Sequence, residues 1–400
     1  MSERLRDAIV VGGGPAGSAL ASLLAQAGHD VLLLDAARFP RDKVCGDSVS
    51  PEAWRLLDAI GATPRVRALA PQPLRGMRLV SPNGTSFRGE YRGRERVGFA
   101  VRRLVLDAAL LASARDAGAT VREGVRVTGL LTDDGRGVRG VTTDDGTALR
   151  ARVVGGADGR RSVVARRLGL LREHPRLRRF AVRGYWDGVR GLEAFGEMHV
   201  AGTGYCGIAP LSARSANVAF VLGARELAAA AGDLEGFYRG TLQRLWPALG
   251  ERLASARLCG PPSAIGPLAL ECRAVSAPGA VLVGDAAGFF DPFTGEGITL
   301  ALRSAELAAA AIDAALQAHP SAPLPRLTGY ERAYRDATRH KFRFNRLLQL
   351  AVTHRGLADA VAARLARRPD LADRMVGIAG DFVPAKTALG PRFLLDLLLA

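Results

Sequence analysis

Apolar positions along the chain follow two rhythms. Asp7 to Val11 and Val31-Leu32-Leu33-Leu34 are short, nearly continuous apolar runs, which predict buried strands. Between them an apolar helical pattern runs to about Ala27 and stops at Gly28. A second helix is expected after Val101–Asp107, ending near Gly118, and Thr120 to Val127 reads as a strand. The turn pairs Asp134-Gly135 and Asp145-Gly146 separate short alternating segments and predict a β-meander. Ala280 to Val283 is another buried strand, and Asn83-Gly84 marks a hairpin. Alternation from Arg178 to Leu222, clearest at Glu197 to Val200 and Asn217 to Leu222, predicts an antiparallel sheet, followed by a helix-rich stretch from Glu226 to Ala256. Helical periodicity then dominates residues 326–400, with breaks at Pro369, Pro384 and Pro391.

Strands alternating with helices at the start, and an antiparallel block later, give an α/β chain. The expected plan is a Rossmann-type nucleotide domain from 1–75, 100–175 and 265–325, interleaved with an antiparallel-sheet substrate domain from 76–99 and 176–264. Residues 326–400 form a C-terminal helical region in this plan.

The chemistry begins at Gly12-Gly13-Gly14-Pro15-Ala16-Gly17, set between the first strand and the first helix. Gly12 permits the tight turn, Gly14 lets a pyrophosphate approach the backbone, and Gly17 lets the helix pack on the sheet. The helix start offers free N–H groups to phosphate. Asp35 ends the second strand, where a carboxylate accepts hydrogen bonds from a ribose. Two later motifs favour a flavin: Gly155-Gly156-Ala157-Asp158-Gly159, and Gly284-Asp285-Ala286-Ala287-Gly288. Asp285 is placed to accept from a ribityl hydroxyl. The N–H groups of Gly297 and Ile298, at the start of a following helix, are placed to meet the pyrimidine edge of a flavin.

With these motifs in order, the chain resembles the flavoprotein hydroxylase and reductase superfamily. Pro40-Arg41-Asp42-Lys43-Val44-Cys45-Gly46-Asp47 and Asp291-Pro292-Phe293-Thr294-Gly295-Glu296-Gly297-Ile298 resemble, more narrowly, the geranylgeranyl reductase family of FAD-dependent oxidoreductases. The resemblance implies a Rossmann-type FAD-binding domain with flavin contacts at Ala16, Asp35, Gly46, Arg103, Val127, Asp285, Gly297 and Ile298, and Asp158 joins Gly12, Gly14 and Gly17 in the cofactor set. It implies hydride delivery to a carbon–carbon double bond, often of a prenyl chain, and the leading reading is a reductase or dehydrogenase acting on a carbon–carbon bond of an apolar small molecule such as a prenyl or polyketide-like substrate. It sets Cys45 against the isoalloxazine, where a thiol can donate a proton, shield the flavin or only pack; Lys43 and Arg41 would lower its pKa if they point towards it.

Two departures stand out. Asp47 follows Gly46 where the family often has a second glycine, and Tyr205-Cys206-Gly207-Ile208-Ala209-Pro210 lacks the large aromatics of the family's Tyr-x-Trp-x-Phe-Pro segment. Tyr205 is the second candidate for catalysis, on a reshaped pocket wall. With no second strand-GxGxxG-helix unit, NAD(P)H would bind transiently, or a reduced partner protein would deliver electrons. The alternative activity is an FAD-dependent monooxygenase. Those hydroxylases commonly carry a His after Gly-Asp-Ala-Ala and a Gly-Gln-Gly loop, whereas this chain has Gly288 and Gly295-Glu296-Gly297.

Charge narrows the partners. The formal net charge is +16, and Lys43, Lys341 and Lys386 are the only lysines among 55 basic residues. A basic chain suits phosphate-bearing cofactors, an acidic redox partner or an anionic membrane surface. Nucleic acid is not expected, because the basic residues are dispersed and no nucleic-acid motif accompanies them. Cys206, Cys259 and Cys272 read as small buried hydrophobes, and the cysteines lack zinc-ligand spacing. No apolar run is long enough to span a bilayer and the start lacks a signal-peptide layout, so a cytoplasmic protein is expected. His340 to Leu348 and the tail Arg392 to Leu399 are candidates for peripheral membrane contact, with packing on the protein body the favoured outcome.

Overall fold

The computed structural model describes all residues except 1–3, 93–96, 134–136, 174–178, 231, 290–291, 320–323, 388–389, 391–392, 394–395 and 397–400. Strand Arg6–Val11 is apolar on both faces and therefore occupies the middle of its sheet. Val31–Asp35 and Ala148–Gly156 flank it in parallel. Thr120–Glu123 extends one side and Ala280–Leu282 the other, again in parallel. Helices Pro15–Gln26, Arg103–Asp116 and Gly297–Ala318 pack together over this sheet. This is the Rossmann-type α/β arrangement that the sequence predicts, with the glycine loop at the carboxyl end of the central strand.

Two local expectations change. The stretch 120–127 is not one strand: it ends at Glu123, Gly124 turns with φ 75°, and Val127–Asp133 opens the meander with Gly137–Thr143 and Ala148–Gly156. Asp134-Gly135 lies outside the described residues, while Asp145-Gly146 makes the other turn, with Gly146 at φ 83°. Arg103 and Asp107 do not precede their helix but form its first turns, which brings them to i,i+4 spacing on one face.

A second sheet stands over the carboxyl end of the first. Its hairpin, Gly76–Val80 with Ser86–Glu90, turns at Gly84 with φ 86°. Phe195–Ala201 pairs with Gly76–Val80, then Gly204–Pro210, Ser215–Gly223 and Arg179–Asp187 follow antiparallel. Arg178, the expected start of this block, lies outside the described residues. One face of the sheet is covered by helices Leu234–Leu245 and Pro247–Ala254 around Trp186, Phe220, Tyr238 and Trp246. The other face turns towards the first sheet.

Helices Thr328–Thr353, Arg355–Arg367 and Pro369–Ala379 are the last described α-helices; Pro369 opens the third of them at its first turn. They pack Phe344, Leu365, Leu371 and Met375 against Phe87 of the hairpin. Within the 340–348 stretch Lys341, Phe344 and Asn345 are buried, so much of it faces the body. Phe393 joins the same cluster, while most of the apolar tail, with Pro391, lies outside the described residues. Among the described residues no helix is long and apolar enough to cross a membrane.

Candidate active site

The glycine loop is shaped by contact distance. Gly12 has φ 102°, and a Cβ there would lie 2.5 Å from the Ala157 carbonyl oxygen. A Cβ on Gly17 would lie 1.7 Å from the carbonyl oxygen of Gly12, so the helix can approach the strand only with glycine here. Gly14 differs: its Cβ would face outward, with the guanidinium of Arg41 at 3.5 Å and that of Arg103 at 3.9 Å. Helix Pro15–Gln26 starts there with no side-chain cap, which leaves its first N–H groups to a ligand.

The two arginines are held in place from below. Arg103 donates through Nε and Nη2 to the two oxygens of Asp107, at 2.6 and 2.7 Å, and Arg41 donates to the same carboxylate at 3.0 Å. The two guanidiniums share the buried Asp107 carboxylate, with Asp35 a further 3.9 Å from Arg41, and set N–H donors beside the uncapped helix start, which suits a pyrophosphate. Asp35 is partly occupied within the protein: its carboxylate accepts from Gly13 N at 2.6 Å and Ala37 N at 2.8 Å. These residues fit the adenosine diphosphate half of FAD.

From the loop a cavity extends between the two sheets. Gly14, Ala16, Cys45, Gly46, Arg103, Tyr205, Asp285, Gly297 and Ile298 all line it. Helix Gly297–Ala318 opens onto it without a side-chain cap. Gly284, at φ 59°, makes the turn that carries Asp285, and its N–H donates to Ser304 Oγ at 2.8 Å. Gly12, Gly17, Asp35, Val127 and Asp158 are not on the cavity wall. Asp158 accepts from Val163 N at 2.6 Å and so anchors the start of helix Val163–Arg167. Val127 is buried at the start of its meander strand, opposite Thr143.

Cys45 differs from expectation in its electrostatics. Burial raises its thiol pKa, and the cation that opposes this is Arg103 rather than Lys43 or Arg41. Arg41 is committed to Asp107, and Lys43 points to Gly159, with its own pKa lowered by burial. Cys45 is therefore kept as a thiol. Among the other cysteines, Cys206 is buried as expected, but Cys259 is exposed, because it follows the short edge strand Arg257–Leu258 at the sheet margin. Cys272 is half-buried and donates to the Ala286 carbonyl.

Asp47 was marked by the sequence as a departure, with no role attached. It sits at φ 60°, fully buried, and accepts from Tyr185 Oη at 2.8 Å, Asn217 Nδ2 at 2.7 Å and Arg103 N at 3.2 Å. Its own N–H points to Cys45 Sγ at 3.4 Å. Burial pushes its carboxyl up to about 6 against these three donors. Asn217 also donates to the Cys45 carbonyl at 2.8 Å, so the cysteine loop is tied to the second sheet. Tyr185 and Asn217 are directly paired across strands, and a polar Asn in an otherwise apolar strand was the available signal.

Tyr205, Gly207 and Ala209 share one face of their strand, the face towards the cavity. A Cβ on Gly207 would have nothing nearer than Met198 at 3.7 Å, so the missing aromatics leave open space. Tyr205 packs edge-on against Phe293 at 4.9 Å. Sequence reading also missed a buried triad. Lys341 Nζ lies 2.9 Å from Glu296 and also pairs with Asp381. Burial pushes Glu296 up to about 8. The triad pins the C-terminal helices to the residue that precedes Gly297. Among the described residues no group of side chains could hold a metal ion.

A family model described as FAD binding domain matches residues 6–340. The chain is 31% identical over 320 residues to a menaquinone reductase of Mycolicibacterium smegmatis, covering 76% of this chain and 75% of that one. It is 30% identical over 345 residues to a digeranylgeranylglycerophospholipid reductase of Methanosarcina mazei, covering 84% and 81%. The fold matches a solved flavoprotein/dehydrogenase from Cytophaga hutchinsonii with a TM-score of 0.84 at 22% identity, over 96% of this chain and 94% of the other. The paired guanidiniums at an uncapped helix, the cavity between two sheets and these likenesses agree, and the chain belongs to the FAD binding domain family as an FAD-dependent oxidoreductase of geranylgeranyl reductase type.

Proposed function

We propose that the protein reduces a carbon–carbon double bond of a lipophilic small molecule, with FAD held along Gly12–Gly17, Asp35, Arg103, Asp285 and the Gly297-Ile298 helix start. The observation that carries this reading is the cavity itself. It runs from the glycine loop to an apolar wall of Met198, Tyr205, Ala219 and Val221, with Cys45 and Tyr205 as its candidate proton donors. The named activities of the relatives, on menaquinone and on digeranylgeranylglycerophospholipid, support a prenyl-bearing substrate. We read segments 1–75, 100–175 and 265–325 as the FAD-binding unit, and 76–99 with 176–264 as the substrate unit. The setting is read as cytoplasmic, with reducing power from NAD(P)H or a reduced protein.

Bound FAD, once reduced by NAD(P)H or a reduced protein, would supply two-electron chemistry, a hydride equivalent for one carbon of the double bond. The protein must supply the matching proton to the other carbon. A thiol whose pKa is raised by burial keeps that proton at neutral pH, which suits Cys45 to donate it rather than to attack as a thiolate. The Asp47–Asn217 tether fixes the loop that carries Cys45. The apolar wall excludes water, so the substrate, not solvent, meets the reducing face.

Single-turnover kinetics test this. Enzyme reduced by dithionite under anaerobic conditions is mixed with a menaquinone or a geranylgeranyl lipid, and flavin reoxidation is followed. Cys45→Ala should retain FAD and reoxidise about a hundredfold more slowly. Reoxidation at the wild-type rate in both Cys45→Ala and Cys45→Ser would remove Cys45 from the mechanism. A requirement for dioxygen would replace the reductase reading with the monooxygenase one.

A further inference from the structure

We propose that a second cleft, between strand Leu270–Cys272 and helix Thr328–Thr353, binds the phosphate groups of a nicotinamide nucleotide that serves as reductant. This rests on the reductase reading above, which requires a donor and leaves its identity open. The cleft is concave, about 460 Å³, within the range of small-ligand sites of about 300–1,000 Å³.

Its lining contains six arginines and two glutamates. Two of the arginines are paired with those glutamates: Arg326 with Glu331 at 2.9 Å and Arg346 with Glu271 at 3.4 Å. The side chains of Arg273, Arg335 and Arg343 make no ion pair or hydrogen bond with the described residues. Arg335, Arg339 and Arg343 recur every fourth residue along one helix, so they stack on a single face. Arg339 is balanced by Asp336 at 3.9 Å, which leaves the charges of Arg335 and Arg343 facing the cleft, and a cleft that concentrates one sign of charge draws the opposite sign. Guanidinium forks match phosphate oxygens in pairs.

An independent observation points into the same cleft. Tyr334 lines it, is only 7% exposed, and its hydroxyl has no hydrogen-bond partner. A buried hydroxyl left unpaired is costly, and a bound phosphate oxygen would accept from it. Phe342, half-buried in the lining, offers a ring for a base to stack on. Phe289 lines both this cleft and the cavity described above, so the two sites share a wall. Concavity selects among polyanions. A bilayer or an acidic globular protein presents charge on a broad surface, whereas a nucleotide diphosphate can enter a cleft that ends on a buried tyrosine.

The test uses FAD-loaded enzyme and 2′-phospho-ADP-ribose, which carries the phosphates of NADPH without its reactive ring. Calorimetric titration should show saturable binding that weakens as salt rises, and the fragment should compete with NADPH in stopped-flow flavin reduction. Arg335→Gln with Arg343→Gln should raise both its Kd and the KM for NADPH by about tenfold or more. Tyr334→Phe should raise them less. Dithionite-driven substrate turnover should stay at the wild-type rate in both variants, and flavin content and Tm report whether they fold. If dithionite-driven turnover fails in the wild type, the reductase reading falls, while the titration still stands or falls alone. The proposal is overturned by the absence of competition with NADPH, by an unchanged KM in the arginine variants, or by loss of binding only to phosphatidylglycerol vesicles or to a reduced acidic protein.

Discussion

Asp47→Asn isolates the charge of one buried carboxyl. Asparagine is close in shape and tolerates the φ of 60° at this site. The Asp47 carboxyl is pushed from 3.8 to about 6 on folding, because burial outweighs its three donors. A raised folded pKa means that the folded state holds the proton more tightly than the unfolded chain. Its stabilising effect is full below 3.8 and is lost as pH rises through about 6. Two pKa units correspond to about 3 kcal/mol, of which about 2 kcal/mol falls between pH 4.5 and 7.5. The variant lacks this loss and has in its place a constant offset from altered hydrogen bonds with Tyr185 and Asn217. Urea unfolding of both proteins across that pH range gives two stability curves. Their difference should move by about 2 kcal/mol in favour of the variant as pH rises. Parallel curves would refute the reasoning, since they would mean that the donors around Asp47 fully compensate its burial.

Gly17→Ala should yield protein with little FAD, because its Cβ would lie 1.7 Å from the Gly12 carbonyl oxygen and the phosphate loop must be displaced; FAD absorbance per chain after gel filtration measures it. Lys341→Met strands Glu296 and Asp381 without their cation and should cost about 3–5 kcal/mol, read by thermal or chemical melting. Adding Glu296→Gln should recover part of that loss, and no recovery would show that the triad is not coupled through charge.

The nucleotide half of the site was legible because its constraints are local. Gly12, Gly17 and Asp35 act over one strand, one turn and one helix, and their types follow from contact distance and hydrogen bonding within that unit. Asp285 and Gly297 were placed by their motif and Cys45 by resemblance, and the structure lays all three on one cavity wall. What stayed hidden depends on contacts between distant segments. The partners of Asp47 come from Tyr185 and Asn217, and Lys341 meets Glu296 across the helical layer. The condition for a lowered Cys45 pKa, that Lys43 and Arg41 point towards it, is not met for the same reason. Sequence proximity of Lys43 and Arg41 says nothing of direction, and Arg41 turns to Asp107 instead. Asp158 was read as a cofactor contact although its immediate service is to the backbone of the next helix.

The order of the parallel sheet bears on how the protein is made. Arg6–Val11 is made before the strands it pairs with, yet one of its two parallel neighbours is Ala148–Gly156, and that strand in turn pairs with Ala280–Leu282. Until the last of these is synthesised, the nascent chain carries an apolar strand with an unpaired edge, the kind of surface that chaperones hold and aggregates recruit. Asp285 and the Gly297 helix follow directly after it. With flavin held as proposed, its capture would await these segments, and amino-terminal fragments that contain an intact glycine loop should emerge colourless.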